Sequence, residues 1–100
     1  MQKHASFSPL HPGEILREDI LPALGMSKTK LAESLGISRQ TLYDILGERV
    51  SITPQMALRL GKAFGNGARF WINLQNAFDL HKATEEVDLS AIPALAAAIS

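Results

Sequence analysis

Residues 27–46 read SKTKLAESLGISRQTLYDIL, and two short helices are written into them. Ser27 and Ser38 are good N-caps, because a serine hydroxyl can accept from a backbone N–H that the first helical turn leaves unpaired. Leu31, Ala32 and Leu35 fall on one face of the helix after Ser27. Leu42, Ile45 and Leu46 fall on one face of the helix after Ser38. Gly36 and Gly47 stand where each helix should close, since glycine tolerates the left-handed conformation of a C-terminal cap. Only Gly36, Ile37 and Ser38 separate the two helices. A turn of about three to four residues containing glycine between two short helices is the helix-turn-helix geometry.

The flanks are also helical. Pro12 suits a first helical position, where its missing N–H costs nothing, and Glu14 suits the positive end of the helix dipole. Ile15, Leu16 and Ile20 line that first helix, which Pro22 is expected to end near Leu21. A fourth helix is expected from the Thr53 cap and Pro54 to a stop at Gly65, with Met56, Ala57, Leu60, Ala63 and Phe64 as its apolar stripe. A fifth begins around Asn66 and Gly67 and runs to about Lys82, with Phe70, Trp71, Leu74, Ala77 and Phe78 repeating the stripe. No stretch alternates polar and apolar for long enough to form a half-buried strand. The fold class read from the chain is therefore all-α, with five helices. The organisation read here is a domain over residues 1–83 and an acidic, apolar tail over 84–100, in which residues 94–99 can form a short helix.

At 100 residues the chain has room for one core and little more. It contains no cysteine, so disulfides, thiolate nucleophiles and Cys-ligated metal sites are excluded. No apolar run reaches the roughly 20 residues of a membrane helix, and the first fourteen residues, MQKHASFSPLHPGE, lack the apolar stretch of a secretory signal. The expectation is a soluble, cytoplasmic protein.

Catalysis finds no support. His4, His11 and His81 are the histidines, and no two share a helix face at metal-ligand spacing. His11 precedes a helix and reads as a cap or an exposed residue. Glu14 and Glu18 lie at i, i+4, the spacing of a solvated face. Gly65 and Gly67 are explained by a helix stop and a helix start, leaving no phosphate cradle with Gly61. Neither a metal nor a cofactor is called for.

Net charge is zero, with ten Lys+Arg against ten Asp+Glu, which by itself speaks against a nucleic-acid partner. The distribution speaks otherwise. No acid lies between Glu48 and Asp79, while Arg49, Arg59, Lys62 and Arg69 do. After that come Asp79, Glu85, Glu86 and Asp88 against Lys82 alone.

On the third helix, Arg39, Gln40 and Tyr43 lie at i, i+1 and i+4, away from the apolar face. They belong to the part of a recognition helix that meets bases in this motif. Arg can pair with guanine O6/N7 and Gln with adenine N6/N7, while Tyr43 can touch a thymine methyl or a phosphate. Candidate phosphate contacts are Lys28 and Thr29 at the start of the second helix, Thr41, and Arg49 and Ser51 beyond the third.

The chain resembles the HigA/VapI antitoxin branch of the Xre-type, Cro-like helix-turn-helix regulators. The resemblance covers about three quarters of the chain. It is carried by His11-Pro12-Gly13-Glu14-Ile15-Leu16, Leu31-Ala32, Leu35-Gly36-Ile37-Ser38-Arg39, the stretch TPQMALRL over 53–60, and Phe70-Trp71 with Leu74-Gln75. The helix-turn-helix alone would indicate only the broad superfamily; the HPGE opening with the later MALRL and FWxNLQ segments points to the branch. It implies a five-helix bundle of the lambda-repressor-like DNA-binding type that dimerises on operator DNA and represses its own operon. It also implies a cognate RelE-like, mRNA-cleaving toxin as protein partner. The family's reading positions fall on Arg39, Gln40 and Tyr43, its helix-2 phosphate position falls on Lys28, and Phe70, Trp71 and Phe78 resemble its core.

There are departures. Lys28 stands where the superfamily often has Gln, Gly47-Glu48 where Asn-Gly is common, and Val50 where a basic residue is frequent. Two other readings stay open at this point: a toxin-binding module with weak or lost DNA binding, and a solitary regulator without a toxin.

Overall fold

The computed structural model describes residues 8–99. His4 and the rest of the first seven residues lie outside it, as does Ser100. All regular structure among the described residues is helical. The first helix, α1, is built from three joined segments: Pro12–Ile15 and Leu21–Leu24 in α geometry, with Leu16–Ile20 in π geometry between them. It is followed by α2 (Lys28–Leu35), α3 (Arg39–Leu46), α4 (Pro54–Phe64), α5 (Ala68–Glu86) and the single turn α6 (Ala96–Ile99).

The caps form as the sequence requires. Ser27 Oγ accepts from Lys30 N–H, Ser38 Oγ from Thr41 N–H and Thr53 Oγ1 from Met56 N–H, at 3.0–3.1 Å. Gly36 and Gly65 take left-handed conformations at the ends of α2 and α4.

Pro22 does not end α1; the helix continues to Leu24 and stops at left-handed Gly25. In an α-helix the Pro22 ring would press on the carbonyl four residues back. Here the preceding turn is widened, with Leu21 N–H donating to Leu16 O. Such a π-turn opens the space that a proline ring needs.

Gly47 is not the left-handed residue after α3: its φ is −84°, and Glu48 takes φ +59° instead. Arg49 N–H donates to Asp44 O and Glu48 N–H to Ile45 O, the paired bonds of a Schellman cap with Glu48 at its left-handed position. This explains the place of the missing Asn-Gly: the glycine of that pair would fall on residue 48.

The helix expected to finish near Lys82 runs on to Glu86, across the 83/84 position. Thr84 Oγ1 donates to Leu80 O and Val87 N–H to Ala83 O, so the acidic start of the expected tail is the last turn of α5. Only one turn, α6, forms beyond Pro93 among the described residues.

The core is one cluster. Leu16 of α1, Leu31, Ala32 and Leu35 of α2, Leu42, Ile45 and Leu46 of α3, Ala57 and Leu60 of α4 and Trp71 of α5 meet there, with Ile52 from the connecting loop. The stripes of α2 and α3 are buried as expected. Those of α4 and α5 are only partly so: Ala63 and Ala77 are exposed, Phe78 is half-buried, and Phe70 lies open, edge-on to the Trp71 ring at 5.2 Å. Phe70 is thus not the core residue that the resemblance implied.

Two glycines permit close approach. A Cβ on Gly13 would lie 1.9 Å from Ile45 O, so the HPGE turn sits directly on α3. A Cβ on Gly61 would lie 2.4 Å from Ala68 N, so α4 packs against the start of α5 with no side chain between.

Candidate nucleic-acid interface

The burial of Leu42, Ile45 and Leu46 fixes which side of α3 faces out. Arg39, Gln40 and Tyr43 are all exposed, on the free side of the helix. Lys28, at the first position of α2, places its Nζ 5.5 Å from the centre of the Tyr43 ring. That is a cation–π arrangement, and it joins the start of α2 to the exposed side of α3. Arg17, Lys28, Tyr43, Leu46, Gly47 and Arg49 together line an open concavity. Its cations and single aromatic ring suit a phosphate backbone.

The remaining candidates divide. Thr29 and Ser51 are exposed. Thr41 spends its groups on the α3 cap: its N–H donates to Ser38 Oγ, and its Oγ1 accepts from the same hydroxyl at 2.9 Å. Thr41 and Ser51 line a second groove with Asp44, Val50 and Met56, apart from the Lys28–Tyr43 concavity. Arg49 folds back on α3, donating to Asp44 Oδ1 and to Tyr43 O. Of the basic middle of the chain, Arg59 turns to the α2 terminus and donates to Leu35 O at 2.9 Å. It caps a carbonyl end that carries partial negative charge.

Glu48 is neutralised on this face. Its Oε2 accepts from Nη1 and Nη2 of Arg17, each at 3.2 Å. Arg17 Nη1 also donates to Leu46 O at the end of α3, and its Nε donates to Glu18 Oε2 at 2.9 Å. Glu18 first, then Glu48, hold the guanidinium pKa above its ordinary value. Sequence reasoning missed Arg17, because among Glu14, Glu18 and Asp19 it reads as one more charge on a solvated helix.

Two buried polar side chains hold the loop between α3 and α4. His11 Nδ1 accepts from Gly13 N–H at 2.9 Å, so Nε2 carries the proton that goes to Val50 O at 3.0 Å. The ring stands edge-on to Phe78. This is the capping role that its place before a helix indicates. Gln75 Oε1 accepts from Ile52 N–H at 2.7 Å, and its Nε2 donates to Asp79 Oδ1 at 2.9 Å. A loop N–H buried without a partner costs about 1–3 kcal/mol. That cost explains a buried glutamine on α5 in the FWxNLQ segment, where burial alone would ask for an apolar residue.

Among the described residues no group of three or more His, Asp or Glu is placed to hold a metal ion, and no helix is long and apolar enough to cross a membrane.

The capped helix pair, with its polar face out and apolar face in, defines a helix-turn-helix protein. Residues 16–71 match the helix-turn-helix family HTH_3, and the chain belongs to that family. Within it, the chain belongs with the HigA/VapI antitoxin-type transcriptional regulators, which are not enzymes. Virulence-associated protein I of Dichelobacter nodosus is 43% identical over 77 residues, covering 77% of this chain and 71% of its own. The solved structure of Pseudomonas aeruginosa antitoxin HigA with the higBA promoter is 37% identical, covers 85% of this chain and 97% of that one, and gives a TM-score of 0.76. Antitoxin GraA in complex with its operator is 39% identical, covers 90% of this chain and 94% of that one, and gives a TM-score of 0.79.

Proposed function

We propose that this chain is a cytoplasmic, homodimeric repressor of the antitoxin type that binds its own operator and neutralises a RelE-like toxin. The observation that carries the reading is the exposed set Arg39, Gln40 and Tyr43 on the free side of α3, with Lys28 beside it. Arg39 and Gln40 read bases from the first turn of α3, and Tyr43 reads or braces one turn on. Lys28 and Thr29 hold phosphates at the start of α2, where free N–H groups and the dipole already favour an anion. Ser51 is the further phosphate contact; Thr41 is held by the α3 cap and Arg49 by Asp44 and Tyr43 O, so neither contributes one in this arrangement. The similarity to relatives solved with operator or promoter DNA supports the same partner here.

Residues 1–83 form the DNA-binding domain in this reading, and residues 84–100 serve protein contacts. Leu80, Val87, Leu89, Ile92, Leu95 and Ile99 are all more than half exposed. They lie among Asp79, Glu85, Glu86 and Asp88, an acidic and apolar surface that suits a basic ribonuclease. On co-expression with a neighbouring toxin-like reading frame, the chain relieves growth arrest and co-purifies with the toxin; loss of both effects would remove the toxin from the proposal.

A dimer of this motif sets its two recognition helices about 34–36 Å apart, one turn of DNA. Footprinting on the chain's own upstream region will therefore show two protected half-sites with one-turn spacing, arranged as a near-palindrome. A single protected site, or uniform protection, would contradict the dimeric operator reading.

A further inference from the structure

Asp44 stands on the recognition helix, where a carboxylate is repelled by phosphate. It holds two partners at once. Gln40 Nε2 donates to Asp44 Oδ1 at 2.9 Å. Arg49 reaches the same oxygen from Nε at 3.1 Å and from Nη2 at 3.0 Å. Arg49 Nη2 also donates to Tyr43 O at 3.1 Å, which fixes the guanidinium against the helix. The guanidinium lies over Gly47, where a Cβ would meet it and make that flexible group shift. The Gly47 backbone, at φ −84°, does not itself require glycine.

We propose that Asp44 is a positioning residue that sets sequence discrimination: it orients Gln40 for base reading and keeps Arg49 from indiscriminate phosphate contact. This rests on the operator-binding reading given above. A glutamine amide carries two N–H donors and a carbonyl acceptor. With one donor given to Asp44, the other donor and Oε1 are left for the two bonds that adenine N7 and N6 require. Arg49 in turn neutralises the carboxylate, so that the recognition helix can carry an acid beside DNA. The arrangement gives up some electrostatic affinity, which is blind to sequence, for a base contact, which is not.

The test measures binding of wild type, D44A, D44N, Q40A and Q40A/D44A to the upstream duplex and to a scrambled duplex across a salt series. Far-UV circular dichroism checks that each variant keeps its helices. D44A is expected to lower the upstream-to-scrambled preference about tenfold, the size of one good base contact. It is also expected to steepen the salt slope by up to about one unit as Arg49 is released to a phosphate. The amide oxygen introduced by D44N can still accept from Gln40, so this variant keeps the preference while its salt slope steepens. In the Q40A background, D44A costs no further preference. If Q40A loses preference while D44A does not, or if D44A costs as much with Q40A as without it, the proposal is overturned. If D44N loses as much preference as D44A, orientation of Gln40 is likewise overturned. If the wild type shows no preference, or Q40A keeps it in full, the operator reading fails and the role of Asp44 falls with it.

Discussion

The double substitution Arg39→Ala/Gln40→Ala will weaken operator binding by more than one good base contact, about 1–3 kcal/mol, with about 6 kcal/mol as the ceiling, because adjacent residues do not add independently. Binding to a scrambled duplex will change far less, because its affinity comes from phosphates. The fold should be untouched, since both side chains are exposed and neither reaches the core. Lys28→Ala provides the contrast. Its loss will fall on all sequences alike and flatten the salt slope by about one unit. Electrophoretic mobility shift or fluorescence anisotropy on both duplexes measures the difference. Equal losses on both duplexes from Arg39→Ala/Gln40→Ala would mean that α3 does not read bases.

Trp71→Ala will destabilise the protein by about 3–5 kcal/mol, the usual range for deleting a buried aromatic side chain. Trp71 is fully buried and sits where α4 and α5 meet, tilted against Phe64 with ring centroids 6.0 Å apart. Its indole Nε1 donates to Asn66 Oδ1 at 2.9 Å, in the turn between the two helices. Alanine therefore leaves a cavity and removes the bond that holds the turn. Small domains have only about 5–15 kcal/mol to lose. At about 4–8 °C per kcal/mol for a chain of this size, Tm should drop by roughly 12 °C or more. A loss below about 1 kcal/mol in urea denaturation would show that α4 and α5 do not meet on this residue.

The helix pair was legible because its signals are local. A serine cap, an apolar face and a closing glycine each act within about two turns of chain. The outward set Arg39, Gln40 and Tyr43 followed by subtraction, once the apolar face was assigned. What escaped depends on neighbours distant in sequence. Arg17 meets Glu48 and Leu46 from thirty-one and twenty-nine residues away, and Gln75 meets Ile52 from twenty-three. No periodicity carries such pairings. The continuation of α1 through Pro22 escaped for another reason: the proline rule assumes α geometry, and the chain evades it with a π-turn. Phe70, Ala63 and Ala77 escaped because a helical stripe wider than its partner surface leaves its margins uncovered. Those margins, with Leu58 at 65% and Leu80 at 70% exposure, supply apolar surface for the proposed dimer and toxin contacts.

The central claim is that α3 reads operator DNA. A salt titration of the unmodified protein on its upstream duplex against a scrambled duplex tests it most directly. The expected result is a preference of about 10³-fold or more for the upstream duplex, with a steep loss of affinity as salt rises, about 0.9 log unit per tenfold salt for each phosphate neutralised. Equal and weak binding to both duplexes would contradict the claim and leave the acidic, apolar surface after Asp79 as the protein's working face.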